Sequence, residues 1–222
     1  MEKLSDKLAS NIAAELGTKD EEKQVLAYGA FALIQMCITI LLLIIISTIL
    51  NVLAEALIIS FTGGVLRKYS GGVHATSPGR CTFLGTFICL ASAVIIKSFT
   101  YDSRIIWVVV IVYPWAYYMI KKLVPVDSPN KPIRNQSKRA KMKKGALRIL
   151  NIYMLLITMN LILFIDNQGN NFIIYSVCII FGLAWQIFTL TKPSFYIFKM
   201  IDQYLNIIVK FIKEVRYYGK VH

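Results

Sequence analysis

Histidine is almost absent from this chain: of 222 residues only His74 and the C-terminal His222 carry an imidazole. Acid is scarce as well, with 12 Asp and Glu against 25 Lys and Arg. There is no HExxH, no CxxC and no second Cys/His pair near the first. A histidine-rich or thiolate-rich metal site is therefore excluded, and no metal or other cofactor is expected. Cysteine numbers four, and Cys37, Cys89 and Cys178 lie inside apolar runs, where they read as small buried hydrophobes. That spacing gives no disulfide framework. The N-terminus lacks the basic start, short apolar core and small-residue cleavage site of a signal peptide, so the first apolar run is expected to stay in the mature protein.

What the chain has instead is apolar length. Apolar residues make up 56% of it, above the roughly 45–50% of soluble domains, a figure that already counts glycine. From Val25 to Leu66 the sequence is predominantly apolar, broken most clearly at Ser47-Thr48, Asn51 and Glu55. One helix crosses the hydrocarbon core with about 20 residues, so this run predicts a helical hairpin turning near Asn51. Further spans are predicted at 82–99, 105–120, 146–165 and 172–190, the fourth containing Pro114. The expected fold is an all-α integral membrane protein of about six transmembrane helices in one domain, residues 1–222. The second span is the weakest of the six, because Glu55 interrupts it and Gly63-Gly64 lie near its end.

Charge predicts the orientation. Alternate inter-span segments carry 23 and 2 of the Lys and Arg residues. By the positive-inside rule both termini, the loop around His74 and the loop from Lys121 to Arg148 are expected in the cytoplasm. Residues 1–24 and 194–217 flank the membrane region 25–190 as amphipathic helices. Leu4, Leu8, Ile12 and Leu16 recur every four residues in the first; Phe195, Phe198, Ile201, Leu205, Ile208, Ile212 and Val215 recur helically in the second. Such helices either lie among lipid headgroups or pack on the bundle. Membrane lipid is an expected partner and nucleic acid is not.

The chemistry concentrates in Arg67-Lys-Tyr-Ser-Gly-Gly-Val-His74-Ala-Thr-Ser-Pro-Gly-Arg-Cys81. A neutral imidazole accepts a thiol proton, and the thiolate attacks carbonyls. Pro78-Gly79 favours a turn that would let Cys81 fold back toward His74. With the third span starting at Cys81 or Thr82, Cys81 sits at a helix N-terminus, where the dipole favours negative charge. Cysteines in such places, or beside a protonated histidine, ionise at roughly pH 3.5–7.5 rather than about 8.5. Arg67 and Arg80 would add positive potential if close. Gly71 and Gly72 would admit a substrate backbone and offer N–H groups to an oxyanion. Glu55, a carboxylate within a span, has three readings: it orients His74, it pairs with a basic residue, or it sits by the outer headgroups.

These residues closely resemble the signature of AgrB, the accessory gene regulator B family of bacterial quorum-sensing membrane endopeptidases. The resemblance extends to the length, the amphipathic start, the multiple spans and the loop Pro125-Val-Asp-Ser-Pro-Asn-Lys131-Pro132. It implies that Cys81 is the nucleophile and His74 the general base, with Arg67, Gly71 and Gly72 in the family's supporting positions. It further implies removal of an acidic C-terminal tail from an AgrD-like propeptide through a thioester, cyclisation to a thiolactone or lactone, and a homodimer. The group orienting the imidazole stays open among Glu55, Ser70, Asp127 and Asn130. A small peptide exporter without proteolytic chemistry is the competing reading. Against it stand the absence of an obvious inverted repeat and the paucity of intramembrane charge. A scaffold for a partner kinase is a more distant one.

Overall fold

The computed structural model describes residues 2–17, 20–73, 77–102, 104–127, 133, 135–166 and 169–218. They form eight helices: α1 Glu2–Leu16, α2 Asp20–Ile49, α3 Leu53–Ser70, α4 Pro78–Ser98, α5 Ile105–Leu123, α6 Gln136–Ile165, α7 Asn171–Phe188 and α8 Lys192–Tyr218. The architecture is 87% helical, without strands among the described residues. Five helices, α2, α4, α5, α6 and α7, are long and apolar enough to cross a membrane. Their apolar side chains point outward in quantity: Ile49 is 77% exposed, and Trp107, Ile111 and Leu155 are each 69% exposed. Only a hydrocarbon solvent tolerates so much bare apolar surface on helices whose backbone bonds are satisfied internally. This is an all-α membrane protein.

The second expected span is the exception. Helix α3 has 18 residues but carries Glu55 in its first turn and Arg67 and Lys68 in its last. Between those charges lie Ala56 to Leu66, about 16 Å of helix at 1.5 Å per residue. It is a short central helix, with Ala56, Ile59, Thr62, Leu66 and Ser70 buried. It packs most extensively on α7. The approach is backbone to backbone: a Cβ at Gly182 of α7 would stand 2.9 Å from the Ile59 carbonyl oxygen and 2.9 Å from Thr62 Cβ. Small residues at crossings let membrane helices meet this closely. Tyr153 of α6 adds a buried hydrogen bond, its hydroxyl donating to the Thr62 carbonyl at 2.8 Å.

The hairpin between α2 and α3 turns where the sequence predicts. Asn51 takes the left-handed conformation, φ 56°, which Asn tolerates better than most residues. Val52 N–H closes the turn on the Ser47 carbonyl at 2.8 Å. Lys97, in the last turn of α4, donates to the Asn51 carbonyl and pairs with the buried Glu55 at 3.3 Å.

The amphipathic flanks depart from expectation in detail. The N-terminal segment ends earlier than residue 24: α1 stops at Leu16, and α2 begins at Asp20. The face of α1 that packs is the small one, Ser5, Ala9 and Ala13, while Leu4, Leu8, Ile12 and Leu16 are all exposed. That leaves the leucine stripe for lipid, as an interfacial helix requires.

Candidate functional site

One end of the bundle gathers the C-terminus of α3, the start of α4, the segment after α5 and the C-terminus of α7. Helix α3 ends because glycine allows it to. Gly71 N–H caps the helix on the Arg67 carbonyl at 2.9 Å, with φ 72° and ψ −148°, a region essentially reserved for glycine. The chain then runs extended beside residues 124–126, pairing Gly71 with Val126 in a parallel bridge. Val126 N–H donates to the Ser70 carbonyl at 2.9 Å. On the other side α7 holds the same strand. Gln186 Nε2 donates to Ser70 Oγ at 3.0 Å and to the Gly71 carbonyl at 2.8 Å. Val73 N–H reaches the Thr189 carbonyl at 3.1 Å.

Cys81 enters from the opposite side. Ser77 is the N-cap of α4, its hydroxyl accepting Arg80 N–H at 3.4 Å, and Pro78 takes the first helical position, where its missing N–H costs nothing. The helix therefore starts three residues before Cys81, earlier than expected. Cys81 N–H already donates to the Ser77 carbonyl at 3.1 Å, so the cysteine lies at the end of the first turn, still within reach of the positive end of the dipole. Its neighbour Thr82 anchors that turn to α2: its hydroxyl is 3.0 Å from Thr39 Oγ1 and accepts from Gln35 Nε2.

Arg67 joins the two halves. Its guanidinium donates to the Val73 carbonyl, the residue before His74, and also lies close enough to Cys81 for their charges to interact. His74 itself is outside the described residues, as is Asn130. Arg67 thus braces the segment that leads to His74, on the side of the site where Cys81 lies. Comparison with known proteins gives this arrangement a family. The accessory gene regulator B family model matches residues 3–190. The chain belongs to the AgrB family. AgrB-like protein 2 of Clostridium perfringens (strain 13 / Type A) is 36% identical over 210 residues, covering 93% of this chain and 98% of the relative. An AgrB-like protein of Clostridium perfringens (strain SM101 / Type A) matches with the same identity and coverage. No solved structure matches the chain. At the level of the family, AgrB membership gives a membrane protein of quorum sensing that processes an AgrD-like propeptide.

Several residues singled out from the AgrB-like sequence find different places. Glu55 does not belong to this site. It stands twelve residues before Arg67 on α3, about 18 Å away along the axis, paired with Lys97 at the far end of the bundle. The pairing with a basic residue that the sequence left open is present, and it lies at the end of the bundle away from Arg67. Ser70 is fully buried and engaged with Gln186 and the Gly71 carbonyl. Asp127 pairs with Arg139 at 2.7 Å. Gly71 spends its N–H on the Arg67 carbonyl, which removes it as an oxyanion donor; its use is steric, because a Cβ there would overlap the Val126 carbonyl oxygen. Arg80 turns away from the strand toward α8. It meets Asp202 Oδ1 at 3.4 Å and donates to Asn206 Oδ1 at 2.6 Å, which docks the amphipathic C-terminal helix beside the start of α4.

The sequence reading missed Gln186, Thr189 and Asp202. Gln186 is a lone polar residue in an apolar run, only 2% exposed. A buried amide costs several kcal/mol unless hydrogen-bonded, and that is the signal by which it stands out. Among the described residues no group of three or more His, Cys, Asp and Glu is placed to hold a metal.

Proposed function

We propose that this protein is a membrane cysteine endopeptidase that ends its reaction in acyl transfer within an AgrD-like propeptide. The observation that supports it most is Arg67 bridging the Val73 carbonyl and the electrostatic neighbourhood of Cys81. His74 takes the Cys81 proton and the thiolate attacks the carbonyl carbon of the scissile peptide bond. The C–N bond breaks, the imidazolium returns the proton to the leaving amine, and the tail departs, leaving a thioester on Cys81. An internal thiol or hydroxyl of the propeptide then attacks that thioester, its proton passes to His74, and Cys81 is released as thiolate. The product is a ring. Arg67 holds positive charge near the sulfur in both halves of the cycle.

Exchange of one thioester for another is close to isoenergetic, whereas water would discharge the intermediate irreversibly. The site must hold the internal nucleophile near the acyl carbon and keep water away. Helix α8, docked through Arg80, contributes a roof at this end. The test is a trap. With the propeptide's internal nucleophile replaced by alanine, intact-protein mass spectrometry should find a hydroxylamine-labile adduct on Cys81. With the natural propeptide, the main product should be lighter by one water than the linear cleaved peptide. Linear free acid from the earliest time points, with no adduct in the trapped case, would make the protein an ordinary membrane protease.

The same reading gives a role to the basic start of α6. Lys138, Lys141, Lys144 and Arg148 are exposed and recur at three- and four-residue spacing, a stripe on one helical face. Arg139 differs from them: it locks the segment after α5 through Asp127 and the Pro125 carbonyl, and its neutralisation would disturb the Gly71–Val126 bridge. We assign the stripe to the acidic tail of the propeptide. Changing those four to glutamine, with Arg139 kept, should raise KM about tenfold at low salt, at roughly 0.3–0.5 kcal/mol per screened charge. The salt dependence of KM should flatten and kcat should hold. An unchanged KM would leave the stripe without that role.

A further inference from the structure

We infer that Gln186 is a positioning residue for the His74–Cys81 pair, acting through the backbone of residues 71–73. The inference rests on the peptidase reading above. Gln186 sits in the last turn of α7, on a helix otherwise made of apolar and small residues. Its Nε2 makes two hydrogen bonds to residues 115 and 116 positions earlier in the chain, to the Gly71 carbonyl and the Ser70 hydroxyl. Three residues on, the α7 end leaves the Thr189 carbonyl without a helical partner, and Val73 N–H fills it. One turn of α7 therefore grips the strand at two points, two residues apart.

The consequence falls on position 74. Val73 has both backbone groups committed, N–H to Thr189 and carbonyl to Arg67. Val73, the last described residue before His74, is thus held by a segment that Gln186 fixes. Cys81 is held by Ser77, Thr82 and α2. On the peptidase reading, the pair works only when the register between α7 and the Gly71–Val73 segment is kept. A misplacement of about 1 Å between reacting groups costs on the order of 10²-fold in rate. Gly72 tightens the requirement: a Cβ on it would stand 2.8 Å from Thr189 Oγ1 and 3.5 Å from Gln186 Nε2, so the strand lies directly against this turn of α7.

The experiment uses the full-length protein with Cys37, Cys89 and Cys178 changed to alanine, so that Cys81 is the one thiol. Gln186→Met keeps the shape and removes both donors. Expected are a fall in kcat of about 100-fold with KM within twofold, and a change in how Cys81 alkylation by iodoacetamide depends on pH. Reactivity at pH 6.5 should drop at least tenfold, its inflection moving toward the ordinary thiol range near 8.5. Leu183→Ala, a cavity one turn earlier in the same helix, serves as the purely structural comparison: lower thermal stability with an unaltered alkylation profile. Gln186→Met with normal turnover, or with slow turnover and an alkylation profile like that of Leu183→Ala, overturns the inference. Should Gln186→Met not accumulate in the membrane, Ser70→Ala carries the test. It removes one of the two acceptors and should move both readouts several-fold in the same directions, and no movement there overturns the inference equally. Cleavage surviving Cys81→Ala would defeat the peptidase reading itself. A dead Cys81→Ala beside a fully active Gln186→Met defeats only the positioning role.

Discussion

Cys81→Ala should bring propeptide cleavage below detection, and His74→Ala should lower it by on the order of 10³-fold or more, the scale on which a nucleophile and its base act as one unit. Both proteins should still accumulate in the membrane, because Cys81 is only half-buried in the first turn of α4 and the cap on Ser77 uses backbone groups. Alanine at Cys37, Cys89 or Cys178 should leave cleavage within a few-fold. Cys178 is buried in the apolar core and Cys89 is half-buried, as expected, whereas Cys37 is exposed on α2 rather than buried. The positive-inside bias adds a second readout. A membrane-impermeant thiol reagent applied to intact cells should miss Cys81 and label a cysteine introduced at Gly169, in the loop before α7. Turnover by Cys81→Ala would end the cysteine-peptidase reading. Labelling of Cys81 from outside would reverse the orientation.

The second large effect involves no chemical group. Gly71→Ala should lower cleavage about 100-fold or more, although alanine adds one methyl. At φ 72° and ψ −148° a side chain costs roughly 1–3 kcal/mol in backbone strain, and the new Cβ overlaps the Val126 carbonyl oxygen. That neighbour is backbone held by its own bond to Ser70, so it cannot yield as a side-chain tip would. Gly72→Ala should behave similarly: φ is 135° and Thr189 Oγ1 blocks the Cβ at 2.8 Å. Gly79→Ala is the comparison. It lies in the same loop-and-helix region with nothing within 4 Å of an added Cβ, and it should cleave within a few-fold of the parent. Measured kcat for the three separates a steric requirement at the strand from a general intolerance of the loop. Gly71→Ala with kcat within fivefold of the parent would contradict the packing described here.

What the sequence made legible follows from how far apart the interacting residues lie. The Asn51 turn was readable because some 40 largely apolar residues exceed one membrane crossing. The start of α4 was not, because Pro78-Gly79 was read as a turn whereas Ser77 caps the helix and Pro78 begins it. Helices α5, α6 and α7 begin and end within a few residues of their apolar runs, α6 excepted: its polar first two turns, from Gln136, prolong it beyond the run. Arg67, Cys81 and the glycine pair stood out by residue type and spacing. The partners did not. Gln186 and Ser70 are 116 residues apart, Arg80 and Asp202 are 122 apart, and no periodicity links such positions. Glu55 misled for the same reason, since its carboxylate announced itself but Lys97, 42 residues later, did not. The short reach of α3 was legible in part, as three charges in 18 residues, yet its place at the centre of the bundle depends on Gly182 of a helix made much later.

That order of manufacture has a consequence for biogenesis. His74 and Cys81, the pair proposed to carry the chemistry, are both translated by residue 81, but the grip on the segment 71–73 that precedes them requires Gln186 and Thr189. At ribosomal speeds of about 5–20 residues per second, the interval of roughly 105 residues lasts on the order of 5–20 s. Throughout it the nascent chain carries Cys81 and His74 without the contacts that α7 makes to residues 70–73. On the proposed reading the protein is built with a delay: competence would arrive only when α7 enters the bilayer and folds against α3, and copies that end before α7 would keep His74 and Cys81 but lack the register to use them.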